Sequence, residues 1–186
     1  MDEPQGLEGA GTLTRIPTGY RVEFRRDYAR PLDELWNAIS SPDGLDSWYP
    51  TRLRTDGVVG NRVSETFEGE DGVVEDAPPG TLTAYEPPHV FEYRIEGPDE
   101  APYAGMLGDQ TIRMEARPGD REGTSRLTFI HDVETLPTAL DVLGGWHYCL
   151  EYLGMRMGAN DAEPTSEDHE RFRSYYHATY GSADET

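Results

Sequence analysis

An α+β fold is predicted, with one antiparallel sheet covered by a single long helix near the C-terminus. Three features predict it. Short runs of alternating apolar and polar residues fill the chain from about residue 51 to 133, the period of half-buried strands. Helical spacing is confined to a stretch after Arg30 and to stretches beyond Pro137. The 186 residues suit one domain, which at that length buries roughly 70% of the surface its unfolded chain exposes.

Residues 1–18, MDEPQGLEGAGTLTRIPT, are Gly-rich and weakly apolar, and read as a loose arm or an added strand. Gly6, Gly9 and Gly11 do not make a dinucleotide loop, because no strand precedes them and no helix follows. The domain proper is expected over residues 19–158. It opens with YRVEFRRDY, a strand that turns Tyr20, Val22, Phe24, Arg26 and Tyr28 to one side, with Arg26 as the polar intruder. Pro31 then starts a helix whose Leu32, Leu35, Trp36 and Ile39 share a face, and a second short helix, PDGLDSWY, ends at Pro50. GNRVSETFEGE groups Val63, Glu65 and Phe67, GTLTAYEPP is a strand stopped by two prolines, and HVFEYRIEG groups Phe91, Tyr93 and Ile95. DQTIRMEARPGDREGTSRLTFIHDV reads as a hairpin with Ile112 and Met114 inward on one strand and Leu127, Phe129 and His131 on the other. GEDGVVEDAPPG and GPDEAPYAGMLGD are acidic surface connections, the second long enough to act as a flap.

A helix from about Pro137 carries Ala139, Leu143, Trp146, Leu150, Leu153 and Met157 as one stripe, with His147 and Gly154 on one shoulder and Cys149 on the other. Tyr148, Tyr152 and Met155 point away from that stripe and need cover. Residues 159–186 are expected to supply it through a short helix with Ser166 as N-cap and Phe172, Tyr175, Tyr176 and Tyr180 facing inward.

A net charge of −20 with no basic stripe argues against nucleic acid and anionic membrane surfaces as partners. No apolar run approaches the ~20 residues that span a bilayer, and the start lacks the basic and apolar regions of a secretion signal. A cytoplasmic protein is expected. All sixteen basic residues are Arg, which excludes Schiff-base and lysine-base chemistry. Cys149 has no partner for an internal disulfide and reads as a small buried hydrophobe. It also diverges by about 200° from His147 on a helix, so the two are not a nucleophile–base pair. The five histidines show no metal-ligand spacing, so neither metal nor other cofactor is expected.

Several stretches in order, PLDELWNAISSPDGLDSWYP, GTLTAYEPPHVFEYRIE, GTSRLTFIHDV and GWHYCLEYL, resemble the START-like (SRPBCC) superfamily over roughly residues 20 to 157. Within it they are similar to the branch of the C-terminal domain of the activator of the Hsp90 ATPase. The resemblance implies the helix-grip (Bet v 1/START-like) fold: two short helices after the first strand, then a curved antiparallel sheet gripping the long helix around an apolar cavity. That superfamily holds lipid and hormone carriers, polyketide cyclases, hydroxylase domains and co-chaperone modules, so the fold supplies a site and not a reaction.

The site expected on that basis is an internal pocket lined by Phe24, Trp48, Phe67, Phe91, Tyr93, Met114, Phe129, Trp146 and Leu150. Arg26, Glu65, His131 and His147 would form its polar end. Arg26 and Glu65 interrupt apolar parities, and buried charges require partners; they would pair with each other or hold the polar end of a ligand, unless a one-residue bulge turns either outward. The expected function is non-catalytic binding of a small hydrophobic or amphipathic ligand by a monomer or homodimer. The alternatives are a cyclase or dehydratase using His131 or His147 as acid–base group, and an interaction module with a chaperone partner.

Overall fold

Alternating residues of the first long strand, β2 (Gly19–Tyr28), bury Tyr20, Val22, Phe24 and Tyr28 and leave the intervening residues outward. The computed structural model describes residues 6–69, 72–97 and 108–181, and the central part of the expected flap lies outside them. Before β2, part of the arm is itself a strand, β1 (Thr12–Ile16), antiparallel to β2 with Gly19 making the turn at φ +141°. After it come α1 (Leu32–Ser40), α2 (Pro42–Leu45) and six strands: β3 (Arg52–Arg54), β4 (Arg62–Glu68), β5 (Val74–Asp76), β6 (Gly80–Glu86), β7 (Val90–Ile95) and β8 (Gln110–Pro118). Strand β9 (Ser125–Val133) and helices α3 (Leu136–Arg156) and α4 (Ser166–Tyr180) complete the chain.

All described pairings are antiparallel, and the sheet runs β1-β2-β9-β8-β7-β6-β4-β3, with β5 added to β4. The first long strand, β2, therefore lies beside the last, β9. α3 lays Leu143, Trp146, Leu150 and Leu153 on the inner face, and α1 adds Leu35, Ala38 and Ile39. This is the α+β helix-grip arrangement, with the long C-terminal helix held against an open nine-stranded sheet.

Phe67 corrects the expected inner set. Val63 and Glu65 are buried, but Phe67 is 38% exposed. β6 pairs with β4 only at Arg62 and Val63, so the far end of β4 runs past the sheet that α3 and α1 cover and meets β5 instead. Parity is kept there while the covering layer has ended.

The C-terminal helix also differs from expectation. Its N-cap is Thr165, not Ser166, and Thr165 forms a capping box with Asp168. Phe172 and Tyr176 are buried, but against His147 and Phe24 and not over Tyr148 and Tyr152. Gly144 sets the approach of the two helices, since a Cβ there would lie 2.6 Å from Arg173. The Tyr176 hydroxyl accepts from Gly11 N–H at 2.7 Å and shares a second hydrogen bond with His147 Nδ1 at 2.8 Å. Tyr176→Phe removes both bonds inside the structure. It is expected to lower the unfolding free energy by about 1–3 kcal/mol, read by urea denaturation; a change within error would show that arm, tail and α3 are not joined through this hydroxyl.

Candidate functional site

The aromatic residues expected to line a cavity instead fill the interior. Phe91, Tyr93, Met114 and Phe129 have no exposed surface, and Phe24 is 1% exposed. Phe129 packs on Trp146 with ring centroids 4.5 Å apart and on Trp48 at 6.4 Å, while Tyr49 meets Trp146 at 5.1 Å and Phe91 meets Tyr93 at 6.0 Å. Rings at these separations interdigitate as a core does. Among the described residues no water-sized space borders Phe91, Tyr93, Met114 or Phe129.

The four polar residues do not converge. His131 lies at the centre of the packed cluster, where Nδ1 accepts from Trp146 Nε1 at 2.8 Å and Nε2 is 2.8 Å from Gln110 Oε1. With Nδ1 accepting, the proton resides on Nε2 and is donated to Gln110. Burial pushes the imidazole down to about 4, so it is neutral at pH 7 with both nitrogens engaged. A general acid must have a free proton within reach of substrate, and His131 has none to offer.

Glu65 is elsewhere again. Its Oε2 accepts from Thr51 at 2.6 Å, and the hydroxyls of Tyr49 and Tyr93, 2.5 Å apart, lie beside it. Burial raises its carboxyl above the ordinary range. Four strands separate β4 from β2, roughly 24 Å along the sheet, so Glu65 and Arg26 are not partners. No bulge is needed to explain either residue: Glu65 has a hydroxyl donor, and Arg26 faces the opposite end of the molecule.

Arg26 belongs to a cleft of about 570 Å³ between β2, α3, α4 and the N-terminal arm. Its Nη2 lies 4.0 Å from Glu151 Oε1, its guanidinium sits 5.4 Å from the Phe24 ring centroid, and Nη1 donates to Arg25 O. His147 borders the same cleft, stacked on Phe172 at 4.1 Å, with Nε2 facing Glu151 Oε1 at 3.6 Å. Burial lowers its pKa. Leu150 is buried and also borders this side.

On the other side of α3 lies a groove of about 420 Å³ lined by Asp46–Pro50, Gly145, Tyr148, Cys149, Tyr152 and His169. Trp48, three residues past α2, is held by donating its indole N–H to Ala38 O of α1 at 3.0 Å. Tyr148 and Tyr152 meet edge to face at 5.4 Å and share a hydroxyl contact at 3.2 Å. Burial pushes the Cys149 thiol up to about 12, which keeps it protonated and unreactive. Of the expected lining residues only Trp48 reaches this groove. Tyr148 and Tyr152 carried the signal that would have found it, as aromatics pointing away from the buried stripe of α3; the C-terminal segment covers them only in part, through His169, 5.0 Å from the Tyr148 ring, and Pro164 O, 3.4 Å from both hydroxyls. Tyr49 and Gly145 carried no separate signal.

Among the described residues there is no group of three or more His, Cys, Asp or Glu arranged to hold a metal ion, and no helix is long and apolar enough to cross a membrane.

An antiparallel sheet gripping a long helix, with a groove on one flank of that helix and a polar cleft on the other, defines a protein of the START-like superfamily. The chain belongs to the family described as polyketide cyclase/dehydrase and lipid transport, whose model matches residues 20–147. The Hsp90-activator branch within that superfamily finds no support in this match. No curated protein matches the sequence. The fold is similar to the crystal structure of CalU16 from Micromonospora echinospora, with TM-score 0.67 and 20% identity over 93% of this chain and 94% of that one. It is also similar to a conserved protein of unknown function from Enterococcus faecalis (TM-score 0.66, 15% identity, 92% and 90% covered) and to an Arthrobacter aurescens protein solved by NMR (TM-score 0.64, 14% identity, 83% and 95% covered).

Proposed function

We propose that the protein binds a small hydrophobic or amphipathic molecule in the groove lined by Trp48, Tyr49, Tyr148 and Tyr152, without transforming it. The observation that carries this is Gly145. A glycine inside a helix costs about 1 kcal/mol relative to alanine, and its neighbour Gly144 has a packing reason, the close approach of Arg173. Gly145 has none: a Cβ built there meets nothing within 4 Å. Its missing side chain leaves open the floor of the groove, between aromatic walls suited to an apolar ligand. Membership of a family described by lipid transport and polyketide chemistry agrees with cargo of that kind.

Two substitutions separate binding from folding. Gly145→Ala is expected to raise stability by about 0.5–1 kcal/mol, and Gly145→Met to keep the fold while filling the groove. The uncharged probe N-phenyl-1-naphthylamine, followed by its fluorescence, is expected to bind the wild-type protein and to lose at least about tenfold in affinity, or roughly 1.4 kcal/mol, in the methionine variant. Equal binding by the wild type and a folded Gly145→Met protein would remove the groove as the site.

A further inference from the structure

The backbone N–H groups around the groove are already used inside the protein. Asp46, Ser47, Trp48 and Tyr49 donate to the carbonyls of Pro42, Gly44 and Leu45, His169 donates to Thr165 O, and Pro50 has no N–H. Gly145, Tyr148, Cys149 and Tyr152 lie within α3, whose N–H groups bond along the helix. The side chains repeat the pattern. Ser47 Oγ donates to Gly44 O at 2.6 Å, Trp48 Nε1 donates to Ala38 O at 3.0 Å, and the Tyr49 hydroxyl pairs with that of Tyr93 at 2.5 Å. The Tyr148 and Tyr152 hydroxyls are 3.2 Å apart and each lies 3.4 Å from Pro164 O.

Acceptors are what the groove has to spare. A phenol oxygen carries two lone pairs against one proton, and Tyr148 and Tyr152 are both partly exposed. Beyond Tyr152, whose hydroxyl is 3.4 Å from its Oε1, stands Glu163, exposed and with no cationic partner among the described residues. We propose, resting on the groove as the binding site, that its ligand is a lipophilic amine. Its apolar body lies against Trp48 and Tyr49, and its protonated nitrogen lies toward Tyr148, Tyr152 and Glu163.

An ammonium is a set of donors with no acceptor, the complement of this wall. Aromatic faces attract a cation and disfavour an anion, and the net charge of −20 acts with the same sign. A fatty carboxylate would need donors or a free cation. Arg54, beside Asp46, is held across both carboxylate oxygens at 2.8 and 2.6 Å. The remaining lining donors are the His169 ring and the Cys149 thiol, which burial keeps protonated and which donates weakly.

The test uses the full chain at pH 8, where alkylammonium groups are charged and free imidazole is not. Decylamine, decanol and decanoate, below their micellar concentrations, compete for bound N-phenyl-1-naphthylamine. Decylamine is expected to bind about tenfold more tightly than decanoate and about threefold more tightly than decanol. Glu163→Gln is expected to leave the melting temperature and decanol binding unchanged and to weaken decylamine about threefold. Tyr152→Phe, which keeps the ring and removes the acceptor oxygen, is expected to weaken decylamine more than decanol. Decanol or decanoate binding as tightly as decylamine overturns the amine assignment while leaving the groove as a site for other cargo. A decylamine preference unaltered by both substitutions reports only the general field of the chain, and overturns it too. If the naphthylamine probe does not bind, or binds a folded Gly145→Met protein equally well, the groove itself is not the site and this inference falls with it.

Discussion

Phe129→Ala is expected to lower the unfolding free energy by about 3–5 kcal/mol, the cost of emptying a phenylalanine site in a close-packed core. Phe129 has no exposed surface, lies between Trp48 and Trp146, and pairs across the sheet with Phe24 on one side and Met114 on the other. Neighbours held on four sides cannot collapse fully into the space, so the cavity term adds to the transfer term. The same substitution should open a dry internal space able to take a small aromatic molecule such as benzene, detectable as a rise in melting temperature with ligand. Urea denaturation is the measurement. A loss below about 1.5 kcal/mol would mean that Phe129 borders a pre-existing cavity, since a side chain already flanked by empty space gives up fewer contacts.

Acidification is expected to cost roughly 3 kcal/mol through His131 alone between pH 6.5 and about 4. In the unfolded chain the imidazole takes up its proton near 6.5, whereas in the folded protein burial defers this to about 4. Between those values the unfolded state binds more protons, so stability falls as pH falls and is fully retained above 6.5. His147, lowered for the same reason, adds in the same direction. Glu65 works the other way: its folded carboxyl is raised above 4.5, so the folded state holds the extra proton and stability declines as pH rises through that window. Glu65 thus offsets part of the histidine contribution, and the comparison that isolates His131 is with His131→Gln. Glutamine can still accept from Trp146 and meet Gln110, but does not titrate. Its stability curve should converge on the wild type toward pH 4. Parallel curves between pH 6.5 and 4 would show that His131 is protonated as readily in the fold as outside it.

Much of the architecture was legible because it depends on local spacing. The inward set of β2, the hairpin of β8 and β9, and the α3 stripe of Leu143, Trp146, Leu150 and Leu153 follow from periods of two and 3.6, which a residue's immediate neighbours impose. The capping error at Ser166 was one residue, between adjacent hydroxyl side chains that both suit an N-cap. The motif order also identified the superfamily, since each quoted stretch combines a turn or cap with a short inward pattern.

Composition and periodicity in the sequence determined an acidic single sheet with a long covering helix, and placed Arg26, Glu65, His131 and His147 inward or at an edge. Only the tertiary structure decided what those positions face. Parity specifies a side of the sheet but not the distance between strands, so Arg26 and Glu65 could read as partners while four strands lay between them. Nor does an inward aromatic reveal whether the next layer reaches it: Phe67 and Phe129 share that reading, yet one overhangs the covered sheet and the other is closed between two tryptophans. Whether an interior is hollow or filled depends on how rings from the segment after α2, from α3 and from β9 interlock, a property of shape in three dimensions that no one-dimensional period encodes.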